Sequence, residues 1–124
     1  MKILIVDDDK DLREQLALAC SSLGHQAEVV ATAAMALERL QAAGDAPEVL
    51  LTDVRMPDMD GITLLRQLTQ RGIEIPVVVI SGHADQELTD RALHLGAVAF
   101  LEKPFGLAAI RDCLAAVSQP AAPK

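Results

Sequence analysis

The sequence predicts an α/β domain in which a doubly wound, five-stranded parallel sheet is covered by helices on both faces. Three observations carry this expectation. Short apolar runs recur at roughly even spacing, helical patterns fill the intervals between them, and most of the runs are apolar at consecutive positions rather than at alternate ones. A strand that is apolar on both faces needs cover on both, which is the situation of a parallel strand inside an α/β fold.

The elements follow in order. "ILIV" (3–6) is the first strand, and Leu12, Leu16, Ala19, Cys20 and Leu23 form the apolar stripe of the first helix, which Asp9 can cap at its start and Gly24 follows at its end. "AEVV" (27–30) is less uniformly apolar and suits the edge of a sheet. A second helix is expected near 33–43, begun by Thr32 and followed by Gly44. "VLL" (49–51) is the third strand, and Ile62, Leu65 and Leu68 mark a helix that stops before Gly72. "VVVI" (77–80) precedes a helix with Leu88, Ala92 and Leu95 on one stripe and Gly96 behind it, and "VAFL" (98–101) precedes a last helix near 107–117. The domain is therefore expected to span 1–117. "SQPAAPK" (118–124) has the composition of a linker or tail, expected to lead to an output domain outside this chain.

Composition excludes several functions. At 124 residues the chain fits one domain that buries about two-thirds of its unfolded surface, without help from disulfides or metals. No apolar run approaches the roughly 18 residues of a membrane span, and "MKILIVDDD" meets acidic residues too early for a signal peptide, so a cytoplasmic location without membrane contact is expected. Cys20 and Cys113 sit in apolar helical patterns without metal-ligand spacing and are read as reduced core residues. A net charge of −7 repels nucleic-acid phosphates, so no direct nucleic-acid contact is expected. Neither a P-loop nor a G-x-G-x-x-G pattern is present to hold a nucleotide.

In an open α/β sheet, ligands bind beyond the carboxyl ends of the strands. The residues placed there are Asp7, Asp8 and Asp9 after the first strand, Asp53 after the third, Ser81 after the fourth and Lys103 after the fifth. Crowded carboxylates repel, so either one takes up a proton or a cation joins them. A hard cation such as Mg²⁺, held by one or two carboxylates, waters and phosphate oxygens, suits the set. With Lys103 it would make a pocket that welcomes a phosphoryl group beside Asp53, a residue type that can act as a nucleophile and form an aspartyl phosphate.

The motifs "ILIVDDD", "LLTDVRMPDMDG", "VVVISGHAD" and "GAVAFLEKPF", in this order and spacing, resemble the receiver domain of bacterial two-component response regulators over residues 2 to 117. The last two are most similar to receivers of the nitrogen-regulation and dicarboxylate-transport kind. The resemblance implies a flavodoxin-like (β/α)5 fold with strand order 2-1-3-4-5. It implies that Asp53 is the phosphoacceptor, charged by a phosphohistidine on a sensor histidine kinase. It implies Mg²⁺ held by Asp8, Asp53 and the backbone carbonyl of Arg55, with Asp7 acting largely through water and Asp9 left to cap the helix. Ser81 would hydrogen-bond a phosphoryl oxygen, Lys103 would pair with it, and the Lys103–Pro104 bond would be cis. Phe100 stands at the family's switch position and is equally a core aromatic; the two roles are compatible. Asp58 and Asp60 are read as shaping the turn and the next helix start, His83 as a plain loop residue, and Met56 and Met59 as loop packing or partner contacts.

Two function classes are weighed. One is a phosphorylatable signalling switch of a phosphorelay, not an enzyme in the turnover sense although it assists its own phosphorylation and dephosphorylation, with an output expected to be transcriptional. The alternative is an interaction module of receiver fold that acts without phosphorylation. A Mg²⁺-dependent aspartyl phosphatase would usually carry a second Asp two residues after the nucleophile, where this chain has Arg55. The resemblance also places an output face on the fourth helix, fifth strand and fifth helix, where Asp90, Arg91, Arg111 and Asp112 supply both signs of charge; such a face can pair with a symmetric copy of itself, so a homodimer, or docking on a linked output domain, is expected on activation.

Overall fold

The computed structural model describes residues 1–42, 44–56 and 58–118; the expected tail beyond residue 118 and the side chains of His83 and Ser118 lie outside the described residues. Strands β1 (Lys2–Val6), β2 (Gln26–Val30), β3 (Val49–Asp53), β4 (Val77–Ser81) and β5 (Ala99–Glu102) alternate with helices α1 (Lys10–Ser22), α2 (Ala33–Gln41), α3 (Gly61–Gln70), α4 (Gln86–His94) and α5 (Leu107–Ser118). All strand pairs are parallel, in the order β2-β1-β3-β4-β5. The fold is the flavodoxin-like α/β arrangement expected from the sequence. β2, the less apolar strand, lies at an edge.

Consecutive apolar residues serve opposite faces because side chains alternate along a strand. Ile3, Ile5, Val49, Leu51, Val78 and Ile80 meet Leu16 and Cys20 of α1 and Ile110 and Leu114 of α5. Leu4, Val6, Leu50, Val77 and Val79 meet α2, α3 and α4 through residues such as Ala36, Leu37, Leu64, Leu68 and Ala92. At about 1.5–3 kcal/mol for each fully buried aliphatic side chain, these two layers dominate the stability of the fold.

The helix starts are fixed locally. Asp9 accepts from the backbone N–H groups of Asp11 and Leu12, Thr32 from Met35, and Asp60 from Thr63. Gly24 and Gly96, at φ +89° and +111°, supply the left-handed turns after α1 and α4. Cys20 and Cys113 are free, the first buried and the second half-buried. Some details differ from expectation. α2 stops at Gln41 because Ala42 turns to extended backbone (φ −68°, ψ 144°), β5 begins at Ala99, and Leu95 lies on the surface while Ala97, beyond the Gly96 turn, takes the core position.

Candidate phosphoacceptor site

The sheet order reverses between β1 and β3, and a crevice opens there at the carboxyl ends of the strands. Register decides what reaches it. Val6 pairs with Thr52, so Asp7 and Asp53 follow side by side; Asp53 pairs with Ile80, which places Ser81 one step beyond; Ser81 pairs with Glu102, which places Lys103 one step beyond again. A one-residue slip in any of these pairings would send the polar side chain to the other face.

Asp53 is almost fully buried, and both of its oxygens are engaged. Oδ2 accepts from Lys103 Nζ at 3.0 Å and Oδ1 from the backbone N–H of Arg55 at 2.8 Å. Gly61 permits the close turn behind it: a Cβ there would lie 3.0 Å from Val54 Cα and 3.2 Å from the Asp53 carbonyl oxygen. The Lys103–Pro104 bond is cis, and the Lys103 N–H donates to the Ser81 carbonyl at 2.8 Å. Burial works against the charge of Lys103, but the Asp53 carboxylate, with Asp7 and Asp9 behind it, outweighs burial and raises its pKa.

Asp7 is the least satisfied group in the crevice. It has no solvent exposure; its Oδ1 accepts from the Asp9 N–H at 2.9 Å, and its Oδ2, alone among the buried side-chain polar atoms of the described residues, has no hydrogen-bond partner. Burial pushes its pKa up to about 6, and the neighbouring charges of Asp53 and Asp8 push the same way. Asp8 is exposed and lines a groove of about 620 Å³ with Arg55, Met56, Asp85 and Arg91 among others.

The remaining candidates divide. Ser81 is buried at the end of β4, whereas Phe100 points outward from β5 with 46% of its surface exposed. Met56 is buried and Met59 packs against the same core layer, so both are packing residues. Asp60 caps α3, as expected. Asp58 reaches further than sequence reasoning allowed: its carboxylate accepts from the Ala33 and Ala34 N–H groups at 3.4 and 3.1 Å and so caps α2 from another loop. Two more contacts escaped the sequence. Arg13 of α1 donates to the Asp7 carbonyl at 2.8 Å, and the Arg55 side chain pairs with Asp85 in the 3₁₀ turn (His83–Asp85) that precedes α4. The nearness of Arg55 holds the Asp85 carboxyl below its usual range.

Residues 3–115 match the family described as response regulator receiver domain. The chain belongs to that family. Relatives of this receiver include the C4-dicarboxylate transport transcriptional regulatory protein DctD of Pseudomonas aeruginosa, 39% identical over 90% of this chain and 24% of that protein. The transcriptional regulatory protein FixJ of Azorhizobium caulinodans is 40% identical over 89% of this chain and 51% of its own length. The receiver thus spans between about a quarter and a half of these longer relatives. Among solved structures, FixJ-N superposes with a TM-score of 0.86 at 36% identity, covering 98% of this chain and 96% of that one. The receiver domain of NtrX from Brucella abortus gives 0.84 at 33% identity, covering 95% and 99%.

Receivers are typically phosphoacceptors rather than enzymes, generally use Mg²⁺, and imply a histidine kinase as partner. Among the described residues no helix is long and apolar enough to cross a membrane. No three of the described His, Cys, Asp and Glu side chains form a ready cage for a metal. Mg²⁺ does not require one, since it keeps several waters and takes one or two carboxylates with phosphate oxygens. The unpartnered Asp7 Oδ2 is a buried acceptor that a hard cation, directly or through one of its waters, would satisfy. The residues fit the ion.

Proposed function

We propose that this receiver is a phosphorylatable switch whose acceptor is Asp53. A carboxylate oxygen of Asp53 attacks the phosphorus of a kinase phosphohistidine; the P–O bond forms as the P–N bond breaks, and the electron pair of that bond returns to the imidazole nitrogen. The observation that carries the reading is the placement of Asp53, buried at the topological switch point with Lys103 on one oxygen, the Arg55 N–H on the other and the unpartnered Asp7 Oδ2 in the same crevice.

Asp8, Asp53 and the Arg55 carbonyl would hold Mg²⁺, with Asp7 acting largely through water. The ion supplies charge neutralisation for the phosphoryl oxygens. Lys103 shifts from carboxylate to phosphoryl oxygen, a move open to a point charge on a flexible stem. Ser81 hydrogen-bonds another phosphoryl oxygen, and the volume it vacates lets the exposed Phe100 ring turn inward by packing alone. The consequence falls on α4, β5 and α5, where Leu95, Val98, Phe100 and Leu107 are exposed. Arg111 already pairs with Asp112 on its own helix at 3.2 Å, so apolar contact rather than those charges supplies the association. That face docks on a second copy or on an output domain, and its output is transcriptional, as the names of its relatives state for them. A phosphorylation-independent module would have no use for Asp7, Asp8, Asp53 and Lys103 at one edge.

Acetyl phosphate with Mg²⁺ is expected to add one phosphoryl group to the parent by intact mass and none to Asp53→Asn. A fully modified Asn variant would reject the assignment.

A further inference from the structure

The 3₁₀ turn His83–Asp85 joins Ser81 to α4, and one carboxylate ties it down from two sides. Asp85 Oδ2 accepts from the Gly82 N–H at 3.1 Å, directly behind Ser81, while Oδ1 pairs with the Arg55 guanidinium of the acceptor loop. The backbone closes the same turn, since the Asp85 N–H donates to the Gly82 carbonyl at 3.0 Å and the Thr89 hydroxyl donates to the Asp85 carbonyl at 3.1 Å. The two ends of the crosslink differ in freedom. The Asp85 side chain is 11% exposed and held; the Arg55 side chain is 65% exposed and can swing. Its root is fixed beside the acceptor, because the Arg55 N–H is 2.8 Å from Asp53 Oδ1.

We infer that the Arg55–Asp85 pair is a crossbar that positions Ser81 away from the acceptor at rest, and that Arg55 exchanges Asp85 for the phosphoryl group once Asp53 carries it. This rests on the proposed role of Asp53. A phosphoryl group brings a charge of about −1.5 to −2 and several acceptor oxygens to the root of Arg55, and a guanidinium prefers such a forked, more highly charged partner to a single carboxylate oxygen. When Arg55 leaves, Asp85 loses its tie to the acceptor loop, and the turn that carries Gly82 follows Ser81 toward the phosphate. Arg55 and Asp85 are thus positioning residues: one reports the charge, the other transmits it to α4.

The test uses the whole chain, with beryllofluoride and Mg²⁺ as the phosphoryl mimic and backbone NMR signals of Ser81, Gly82 and α4 as the readout. Asp85→Asn keeps an oxygen for the Gly82 N–H but gives up the charge that holds Arg55. Its resting signals should lie part-way along the line from free to beryllofluoride-bound parent, and half-saturation should come at roughly two- to fivefold lower mimic concentration, the scale of a partly exposed ion pair acting on a two-state equilibrium. Arg55→Gln should displace the resting signals in the same direction without tightening binding, since it removes both the crossbar and its replacement contact. The double variant should match Arg55→Gln. A merely structural role for Asp85 would tighten nothing and would add to the Arg55 effect. Parent-like resting signals and parent-like half-saturation in Asp85→Asn overturn the crossbar, as does a tightening that persists undiminished when Arg55 is Gln. Arg55→Gln alters an exposed side chain, so its resting signals decide the crossbar even if Asp85→Asn does not fold. A parent that ignores beryllofluoride overturns both the acceptor role and the crossbar; a responsive parent with silent variants overturns the crossbar alone.

Discussion

Two clusters of charge flank the sheet, and they are built on opposite terms. Near the starts of β1 and β3, Glu28 receives Arg39 through two N–H bonds of 2.7 and 2.8 Å and Lys2 at 3.2 Å, while Lys2 also reaches Asp45 Oδ2 at 3.0 Å. Glu28 and Asp45 there each have a cation, and Arg39 holds the Glu28 pKa down at about 2. At the other end, among the described residues, Lys103 pairs with Asp53 alone, and Asp7, its carboxylate buried with no cation in contact, rises to about 6. The first cluster finishes its electrostatics within the chain. The second leaves a deficit, which suits a site proposed to be completed only by a cation and a phosphoryl group.

The largest effect on stability is expected where the deficit is greatest. The folded pKa of Asp7, about 6, lies above its ordinary value of 3.8. Below about pH 4 the group is protonated in both folded and unfolded chains and costs nothing. As pH rises through 6, the folded protein must ionise a buried, half-partnered carboxylate, and stability is lost. Asp7→Asn removes that loss and is expected to stabilise the protein at pH 7 by on the order of 2–3 kcal/mol, with no gain at pH 4. Urea unfolding of both proteins in chelator at the two pH values measures it. Added Mg²⁺ should narrow the difference at pH 7, and an Asn variant no more stable than its parent would show that the crevice carries no deficit.

Glu28 carries the opposite sign. Its folded pKa, about 2, lies below its ordinary 4.5, so its contribution is present above pH 4.5 and is lost as pH falls toward 2. Glu28→Gln should therefore cost about 1 kcal/mol at pH 7, discounted for partial exposure, and progressively less in acid. Acetyl phosphate labelling of Asp53 should be unchanged. A labelling defect would mean that the two clusters are coupled and the contrast between them is false.

What the sequence disclosed follows the same division. The elements and the crevice were legible because each rests on local pattern: "ILIVDDD" is a buried strand meeting its polar end, Asp9, Thr32 and Asp60 stand where caps belong, and parallel pairing of such strands brings Asp7, Asp53, Ser81 and Lys103 to one edge without further information. Contacts made by long side chains between separate loops had no such signature. Arg55 and Asp85 are 30 residues apart, Asp58 and Ala33 25, and nothing in the residues around either pair announces the partner. Leu95 failed for a related reason: periodicity assigns it to the core, but the turn at Gly96 ends the helix before that stripe is completed.

A smaller effect belongs to one of those long-range contacts. Asp58 caps α2 from the acceptor loop while Thr32 caps it locally through Met35, so the helix start is held twice. Asp58→Ala should cost about 0.5–1 kcal/mol, the lower part of the range for a lost cap because Thr32 remains. Thermal unfolding measures the loss, and hydrogen exchange at Ala33 and Ala34 locates it. Unchanged exchange at those two amides would show that Asp58 does not cap the helix in solution.

The smallest effect tests how much redundancy the satisfied cluster holds. The Asp45 side chain is 83% exposed and offers Lys2 one oxygen, but the Asp45 backbone carbonyl already accepts from Lys2 Nζ at 3.3 Å and from Arg39 Nη2 at 2.6 Å. Removing the carboxylate leaves both cations with that carbonyl and with Glu28. Asp45→Ala should change stability by less than about 0.5 kcal/mol, as surface substitutions usually do. Urea unfolding of the single variant, and of Asp45→Ala combined with Glu28→Gln, measures this. In the double variant the loss should exceed the sum of the single losses, because Lys2 and Arg39 then keep only neutral oxygens in place of both carboxylates. A large single effect for Asp45 would mean that the cluster depends on each of its members, as the crevice does, and would erase the difference between the two ends of the sheet.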